Sequence, residues 1–317
     1  MLEIDEIGDI PLVSVVIATN RVSPFLAEAL GSVAAQTHPL VETIVVDDGS
    51  PDPEALATIV QLFEAQLIRT APTGVSAARN LGASVSAGGL LVFLDDDDRW
   101  HPERLTRQVA SMATDPDAVA GYCGIRSIDE QGREIAAADD VETTDRYDIA
   151  RRRTGILMGN LMVRRDAFEA VGGLDHDRKL AEDLDLVLKL AGLGRFTYCP
   201  GALVDYRKHP ANSTHRHRDL ADAVADVLGS HRLSARKAGD DRLVEALEQS
   251  IRANQRFAWW AAARAARTEL ASRRIGSALS ELLWAMRFAP FAPFDALWRR
   301  LTGRHWAAQP SPQSAIE

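Results

Sequence analysis

The apolar run Leu90-Leu91-Val92-Phe93-Leu94 passes directly into four aspartates, Asp95-Asp96-Asp97-Asp98, and no other stretch constrains the fold as strongly. A short continuous apolar run after Gly88-Gly89 reads as a strand buried on both faces, as in a parallel sheet with helices on each side. Open sheets of this kind bind ligands beyond the carboxyl ends of their strands. Adjacent carboxylates resist ionising together unless a cation is shared. Alternation along an extended strand end would turn Asp95 and Asp97 to one side and Asp96 and Asp98 to the other. One such pair suits a hard divalent cation, Mg²⁺ or Mn²⁺, through oxygen ligands. The competing reading is a solvated acidic loop, against which the buried strand feeding the run argues.

The same alternation of strand and helix extends along the first third of the chain. Residues 12–18 read as a buried strand, followed by Ser23-Pro24 as N-cap and first-turn proline of a helix to about Gln36, with Leu26, Leu30 and Val33 on one face. Residues 42–46 form a second strand ending in Asp47-Asp48-Gly49-Ser50, then a helix follows Pro53 and a short strand spans 66–69. Gly74-Val75-Ser76 opens a helix with Ala78, Leu81 and Val85 on one side, and Pro102 starts another bearing Leu105, Val109 and Met112. This order predicts a parallel sheet with right-handed crossovers, with two acidic strand ends facing one crevice. From 118 to 210 short strands at 119–123, 159–163, 195–199 and 202–206 surround helices at 166–171 and from Glu182 to about Ala191. Residues 216–306 show helical periodicity, for example Leu243, Leu247 and Ile251, then Leu279, Leu283 and Met286.

A net charge of −9 argues against general nucleic-acid binding, but it hides an asymmetry. Residues 251–306 carry ten Arg against three acidic residues, an excess of +7, together with Trp259, Trp260, Trp284, Phe288, Phe291, Phe294, Trp298 and Trp306. Cys123 and Cys199 have no metal-ligand spacing and suit small buried positions in a reducing compartment. The N-terminus Met1-Leu2-Glu3-Ile4-Asp5-Glu6 lacks the pattern of a signal peptide, and no stretch approaches the ~18–20 apolar residues of a membrane span. The expectation is a soluble, cytoplasmic protein.

The segments Val13-Ser14-Val15-Val16-Ile17-Ala18-Thr19-Asn20, Val45-Val46-Asp47-Asp48-Gly49-Ser50, Gly74-Val75-Ser76-Ala77-Ala78-Arg79-Asn80, Phe93-Leu94-Asp95-Asp96-Asp97-Asp98, Gly172-Gly173-Leu174-Asp175, Ala181-Glu182-Asp183 and Tyr206-Arg207-Lys208-His209-Pro210 form an ordered set. In that order the chain resembles the family 2 glycosyltransferases over residues 12–215. The resemblance implies the α/β GT-A fold, a Rossmann-like mixed sheet flanked by helices, and inverting transfer from a nucleotide sugar. On that basis residues 1–11 are a lead, 12–117 a nucleotide-sugar-binding half and 118–215 the acceptor-binding, catalytic half of one GT-A domain. Residues 216–306 are a C-terminal helical extension, and 307–317 a disordered tail.

By family position, Asp95 and Asp97 match an Asp-x-Asp pair, with Asp97 on the metal and Asp95 near the ribose or the metal. Asp96 and Asp98 stand behind them or in solvent, and Asp96 is grouped with the nucleotide-sugar-binding residues. Asp48 resembles the position that hydrogen-bonds the base, while Asp47 orients or forms the turn. Thr19 and Asn20 would line the nucleotide crevice. Arg79 would reach a phosphate or hold the aspartate loop, against a surface salt bridge as the plainer reading. Glu182 and Asp183 open a helix whose apolar face is Leu184, Val187, Leu188 and Ala191, where the helix dipole favours ionised carboxylates. The resemblance makes Asp183 the general base and Glu182 its orienting neighbour. His209 is placed on the metal or the diphosphate, with a structural histidine as the alternative. His215 and His217 fall in a polar stretch of the sort that closes over a bound donor, and Trp100 packs or touches the sugar.

Processive members of the family carry Gln or Arg followed by Arg-Trp together with membrane spans. Here Gln255-Arg256-Phe257-Ala258-Trp259-Trp260 stands without a span, so one sugar is added per encounter. UDP, dTDP and GDP donors remain open, as do saccharide, lipid-linked and small-molecule acceptors. The basic aromatic helices either pack on the core or bring residues 251–306 to an anionic membrane, a peripheral contact. A sugar-phosphate nucleotidyltransferase is disfavoured because Ala18-Thr19-Asn20-Arg21-Val22-Ser23-Pro24 holds no glycine, and an NAD enzyme because no Gly-x-Gly-x-x-Gly follows the first strand. A non-catalytic nucleotide-sugar-binding protein would have lost Asp97 or Asp183, and both are present.

Overall fold

Runs of valine, isoleucine and leucine dictate the centre of the molecule. In the computed structural model, which describes residues 10–136, 141–143, 145–210, 212 and 216–292, four strands pair in parallel: β1 (Val13–Thr19), β2 (Val41–Asp48), β3 (Gln66–Thr70) and β4 (Leu90–Asp95), in the order β3-β2-β1-β4. Alternate residues of β1 and β4 enter opposite apolar layers. Val15, Ile17, Val92 and Leu94 face one, and Val16, Leu91 and Phe93 the other. Both faces are covered, which is why these strands are continuously apolar.

The helices beside this half are α1 (Leu26–Ala34), α2 (Pro53–Gln61) and α3 (Val75–Val85). Pro53 occupies the first turn of α2, and Asp52 Oδ1 accepts from Ala55 N at 3.0 Å as its cap. The Ser23-Pro24 start expected for α1 is not used. Ser23 Oγ accepts from Phe25 N at 3.2 Å in a preceding turn, and the helix begins at Leu26. The face of α3 also differs from expectation: it buries Ala78, Arg79, Gly82 and Ala83 and leaves Val85 exposed. Gly82 lets the helix approach the sheet so closely that a Cβ there would lie 2.4 Å from Val16 Cγ1.

Past β4 the sheet becomes mixed. β8 (Leu161–Arg164) runs antiparallel to β4, and β6 (Ala120–Ile128) antiparallel to β8. β9 (Phe196–Arg207) runs parallel to β6, β5 (Arg99–Trp100) closes the path beside β9, and β7 (Glu134–Ala136) pairs with β6, giving nine strands among the described residues. The two strands expected at 195–199 and 202–206 are one, because Gly201 at φ +102 lets the register shift opposite Gly124 without ending the ladder. The short β5 and β7, and α5 (Arg146–Ala150), are below the length at which periodicity is readable. Helices α4 (Arg104–Ala113), α6 (Arg165–Ala170) and α7 (Glu182–Leu193) complete this part. Cys123 and Cys199 are buried and form no disulfide with one another, as the sequence suggested.

Three helices follow: α8 (His217–Lys237), α9 (Asp241–Ala271) and α10 (Ile275–Phe288). Val224, Val227 and Leu228 of α8 form one apolar cluster with Leu188 of α7 and with Ala246 and Leu247 of α9, so the extension packs on the core. Trp259 Nε1 donates to Ala289 O at 2.5 Å, and Trp284 stacks on Phe288 at 5.3 Å. Trp260 remains 54% exposed, so burial of the aromatic residues is partial. No described helix is long and apolar enough to cross a membrane. Phe294, Trp298, Trp306, the tail from Gln309, His215 and most of the 1–11 lead lie outside the described residues.

Candidate active site

The carboxyl ends of β1, β2 and β4 meet the start of α7 around a cavity of about 750 Å³. β4 ends at Asp95, and the chain turns at once, with Asp98 N donating to Asp95 O at 3.2 Å. The turn ends the side-to-side alternation expected of the four aspartates. Asp95, Asp97 and Asp98 each place a carboxylate oxygen within 4.8 Å of the others, while Asp96 turns back to accept from Thr19 Oγ1 at 2.5 Å. Asp98, expected behind the pair or in solvent, therefore joins it. Its Oδ1 accepts from Arg207 N at 2.8 Å.

Asp97 Oδ2 meets His209 Nε2 at 2.9 Å and accepts from Arg21 Nη2 at 3.4 Å. Burial, reinforced by neighbouring negative charge, pushes Asp96 up to about 6, raises Asp97, and holds Asp98 well above the usual carboxylate range. The three converging carboxylates of Asp95, Asp97 and Asp98 form an oxygen-rich donor set suited to a hard divalent cation.

Arg207 supports this turn and was not singled out in the sequence. It is 1% exposed. Its Nε donates to Asp97 O at 2.9 Å, its Nη1 to Glu130 O at 3.0 Å and its Nη2 to Glu28 Oε2 at 2.7 Å, with the Phe25 ring centroid 4.4 Å away. Arg207 stands in the segment Tyr206-Arg207-Lys208-His209-Pro210, two residues before the histidine that meets Asp97.

Arg79 bridges the aspartate cluster and α7. Nη2 donates to Asp95 Oδ1 at 2.5 Å and Nη1 to Glu182 Oε1 at 2.8 Å, so it is not a surface salt bridge. Glu182 is thereby held by Arg79, next to Asp183 at the head of α7. Asp183 Oδ1 accepts from Leu184 N at 2.7 Å. Burial and then the adjacent Glu182 charge lift its pKa to about 6, against the opposing influence of Arg79 and Arg152.

Asp48 lines the cavity, but its carboxylate is engaged. Oδ1 accepts from Thr73 N at 2.6 Å and Thr73 Oγ1 at 2.9 Å, and Oδ2 accepts from Gly74 N at 2.9 Å. Asp47 takes the turn-forming role, accepting from Ser50 N and from Arg69 Nη1, each at 2.7 Å. Asn80 brackets Leu174, donating to its carbonyl at 2.7 Å and accepting from its N–H at 3.0 Å. Trp100 is buried under Arg104, whose guanidinium lies 3.6 Å from the ring centroid, and it is not among the cavity's lining residues.

Thr19, Asn20, Asp48, Arg79, Asp95, Asp96, Asp97, Glu182 and Asp183 thus share one cavity, with His209 one hydrogen bond behind it. His217 also lines the cavity, from the start of α8 rather than from a free loop. It opens α8, meets Glu281 Oε2 at 3.0 Å and packs edge-on against Trp284. The lining also includes Arg152, Lys179 and, from α9, Phe257 and Arg264, none of which the sequence marked.

The model of the glycosyl transferase family 2 matches residues 14–172. An uncharacterized glycosyltransferase of Nostoc sp., alr2836, is 30% identical over 227 residues, covering 68% of this chain and 69% of that protein. Glycosyltransferase AglE of Haloferax volcanii is 31% identical over 172 residues, 51% of this chain and 56% of its own. Among solved structures, Staphylococcus aureus TarS 1-349 in complex with UDP-GlcNAc superposes with a TM-score of 0.61 at 16% identity, over 85% of this chain and 90% of that one. Mannosyltransferase PcManGT from Pyrobaculum calidifontis, in complex with GDP-Man and Mn²⁺, gives 0.57 at 22% identity, over 96% and 86%. Ordered strand ends, a shared cavity and these matches lead to one assignment: the chain is a glycosyltransferase of family 2, built on a GT-A-like mixed sheet with a C-terminal helical region.

Proposed function

We propose that this enzyme moves a sugar from a nucleoside diphosphate sugar to an acceptor hydroxyl with inversion at the anomeric carbon, one sugar per encounter. The observation that carries this reading is that Asp183 and the aspartate cluster line one cavity and are tied together through Arg79 and Glu182. The fold relatives bind donors of this type, UDP-GlcNAc in TarS and GDP-Man in PcManGT.

In this reading Asp95, Asp97 and Asp98 hold Mg²⁺ or Mn²⁺, with His209 steadying Asp97 from behind. A cation held there neutralises charge on the departing diphosphate. Thr19 and Asn20 flank the nucleotide, and Asp48 shapes its end of the cavity by holding the Thr73–Gly74 loop. Asp183 takes the acceptor proton as the acceptor oxygen bonds the anomeric carbon and the nucleoside diphosphate leaves. A carboxyl with a pKa of about 6 is mostly ionised at neutral pH and basic enough for that task. Two buried cysteines that are not joined in a disulfide suit work in a reducing compartment such as the cytoplasm.

The test is nucleotide release from a panel of UDP-, dTDP- and GDP-sugars, each with Mg²⁺, Mn²⁺ or EDTA, with nucleotide binding measured in parallel. Wild type should turn over one donor class with metal. Asp183→Asn should bind the nucleotide and release none above background. Turnover by Asp183→Asn at the wild-type rate removes the base assignment, and no nucleotide binding by wild type removes the donor.

A further inference from the structure

Every carboxylate lining the cavity lies at the ends of β2 and β4 or at the start of α7. The rest of the lining holds cations, Arg152, Lys179 and Arg264 among them, with neutral polar residues such as Thr154 and Asn212 and apolar ones such as Ile156 and Phe257. Arg152 stands out within a run of three arginines. Arg151 Nη1 lies 2.6 Å from Asp148 Oδ1 and Arg153 Nη1 3.4 Å from Asp148 Oδ2, so both neighbours are paired outside the cavity. Arg152 lines the cavity instead, and its guanidinium has no hydrogen-bond or ion-pair partner among the described residues. Its backbone sits at φ +56, a left-handed conformation that side chains other than glycine rarely adopt. Arg152 is the residue just past the C-cap of α5, the usual place for a left-handed residue at a helix end. Arg152 and Asp183 line the same cavity; burial lowers the Arg152 pKa, while the charge of Asp183 raises it.

We propose that Arg152, with Lys179 on the same lining, binds a phosphate or phosphodiester carried by the acceptor beside its attacking hydroxyl. The proposal rests on the reading in which Asp183 is the base. The attacking hydroxyl then sits at Asp183, and the donor diphosphate lies across the anomeric carbon at the aspartate cluster, so an anion at Arg152 belongs to the acceptor. A guanidinium presents two parallel N–H donors to such an oxyanion, and Lys179 adds a point charge. The same phosphate chemistry occurs in soluble sugar or polyol phosphates and in lipid headgroups.

The test uses the full chain saturated with UDP, or with GDP if that binds instead, and Mg²⁺. Inorganic phosphate is then titrated in and followed by calorimetry. Wild type should bind phosphate on top of the nucleotide. Arg152→Gly, which suits the left-handed backbone and should melt no lower than wild type, should weaken phosphate binding about tenfold or more while leaving nucleotide affinity unchanged. Lys179→Ala should weaken it less. Competition by glycerol phosphate and Arg152-dependent co-sedimentation with phosphatidylcholine vesicles carrying phosphatidic acid each support the site, and together they separate the soluble from the lipid source. Unchanged phosphate binding by Arg152→Gly overturns the proposal, as does loss of nucleotide affinity, which would put Arg152 on the donor. Wild type that binds nucleotide but no phosphate also overturns it. Wild type that binds no nucleotide fails the donor reading, and this proposal falls with it.

Discussion

Arg79 and Glu182 stand 103 residues apart in the chain, yet Arg79 Nη1 donates to Glu182 Oε1 at 2.8 Å. The other arm of the same guanidinium holds Asp95. One side chain therefore sets both the aspartate turn and the head of α7, and a shift in either is felt by the other.

Removing Arg79, which is 5% exposed, would leave the largely buried Glu182 carboxylate without its partner, while Asp95, whose side chain is 39% exposed, keeps its solvation. Arg79→Ala should lower the unfolding free energy by about 3 kcal/mol, read from urea titration. Arg79→Lys keeps the charge but lacks the fork that spans Asp95 and Glu182, so it should recover part of the stability without recovering nucleotide release.

The pH dependence turns on Asp183. With its pKa raised to about 6, nucleotide release should rise with pH through about 6 and level off above it. Stability should run the opposite way. The folded protein keeps this proton to higher pH than the unfolded chain, whose carboxyl titrates near 3.8, so the stability gained from the protonated group is lost between about 4 and 6. Asp183→Asn should therefore be more stable than wild type at pH 8, on the order of 1 kcal/mol, while turnover falls by about 10²–10⁴. Paired thermal melts and rate profiles would check both directions.

A divalent cation should stabilise the folded protein by about 2.7 kcal/mol at a hundred times its Kd, and EDTA should remove the effect. Asp97→Asn and Asp98→Asn should each erase the response. Asp98→Asn should also melt higher than wild type in EDTA, because burial and the neighbouring Asp97 and Asp95 already disfavour an ionised carboxylate there. Melting curves with Mn²⁺ and with EDTA separate these outcomes.

The seating of α3 can be tested away from the chemistry. A Cβ at position 82 would lie 2.4 Å from Val16 Cγ1 and 3.2 Å from Val46 Cγ2. Gly82→Ala should destabilise by about 1–3 kcal/mol through overpacking, even though alanine is the better helix former by about 1 kcal/mol. A higher melting temperature would mean that the sheet yields at that point.

The strands β1, β2 and β4 were readable because covering both faces of a sheet demands apolar residues without interruption. Their acidic ends were readable for a related reason: charge directly after buried strand has one place to go, the rim of the sheet. Asp98 was misplaced because its direction depends on a turn that begins right after Asp95, and periodicity carries no information about a turn. The continuity of β9 was hidden for the opposite reason, since Gly201 looks like a break and acts as a bulge. Arg207 and Arg152 show a further limit. An arginine reads the same in sequence whether its guanidinium meets solvent, backbone carbonyls or a cavity, and only the fold assigns the direction.

The family match ends at residue 172, whereas the cavity is lined as far as Arg264 of α9. The matched portion holds the aspartate turn, while α7 brings the Glu182–Asp183 pair and α9 adds wall beyond it. A reshaped α9 would alter the room inside the cavity while the strand ends kept their places.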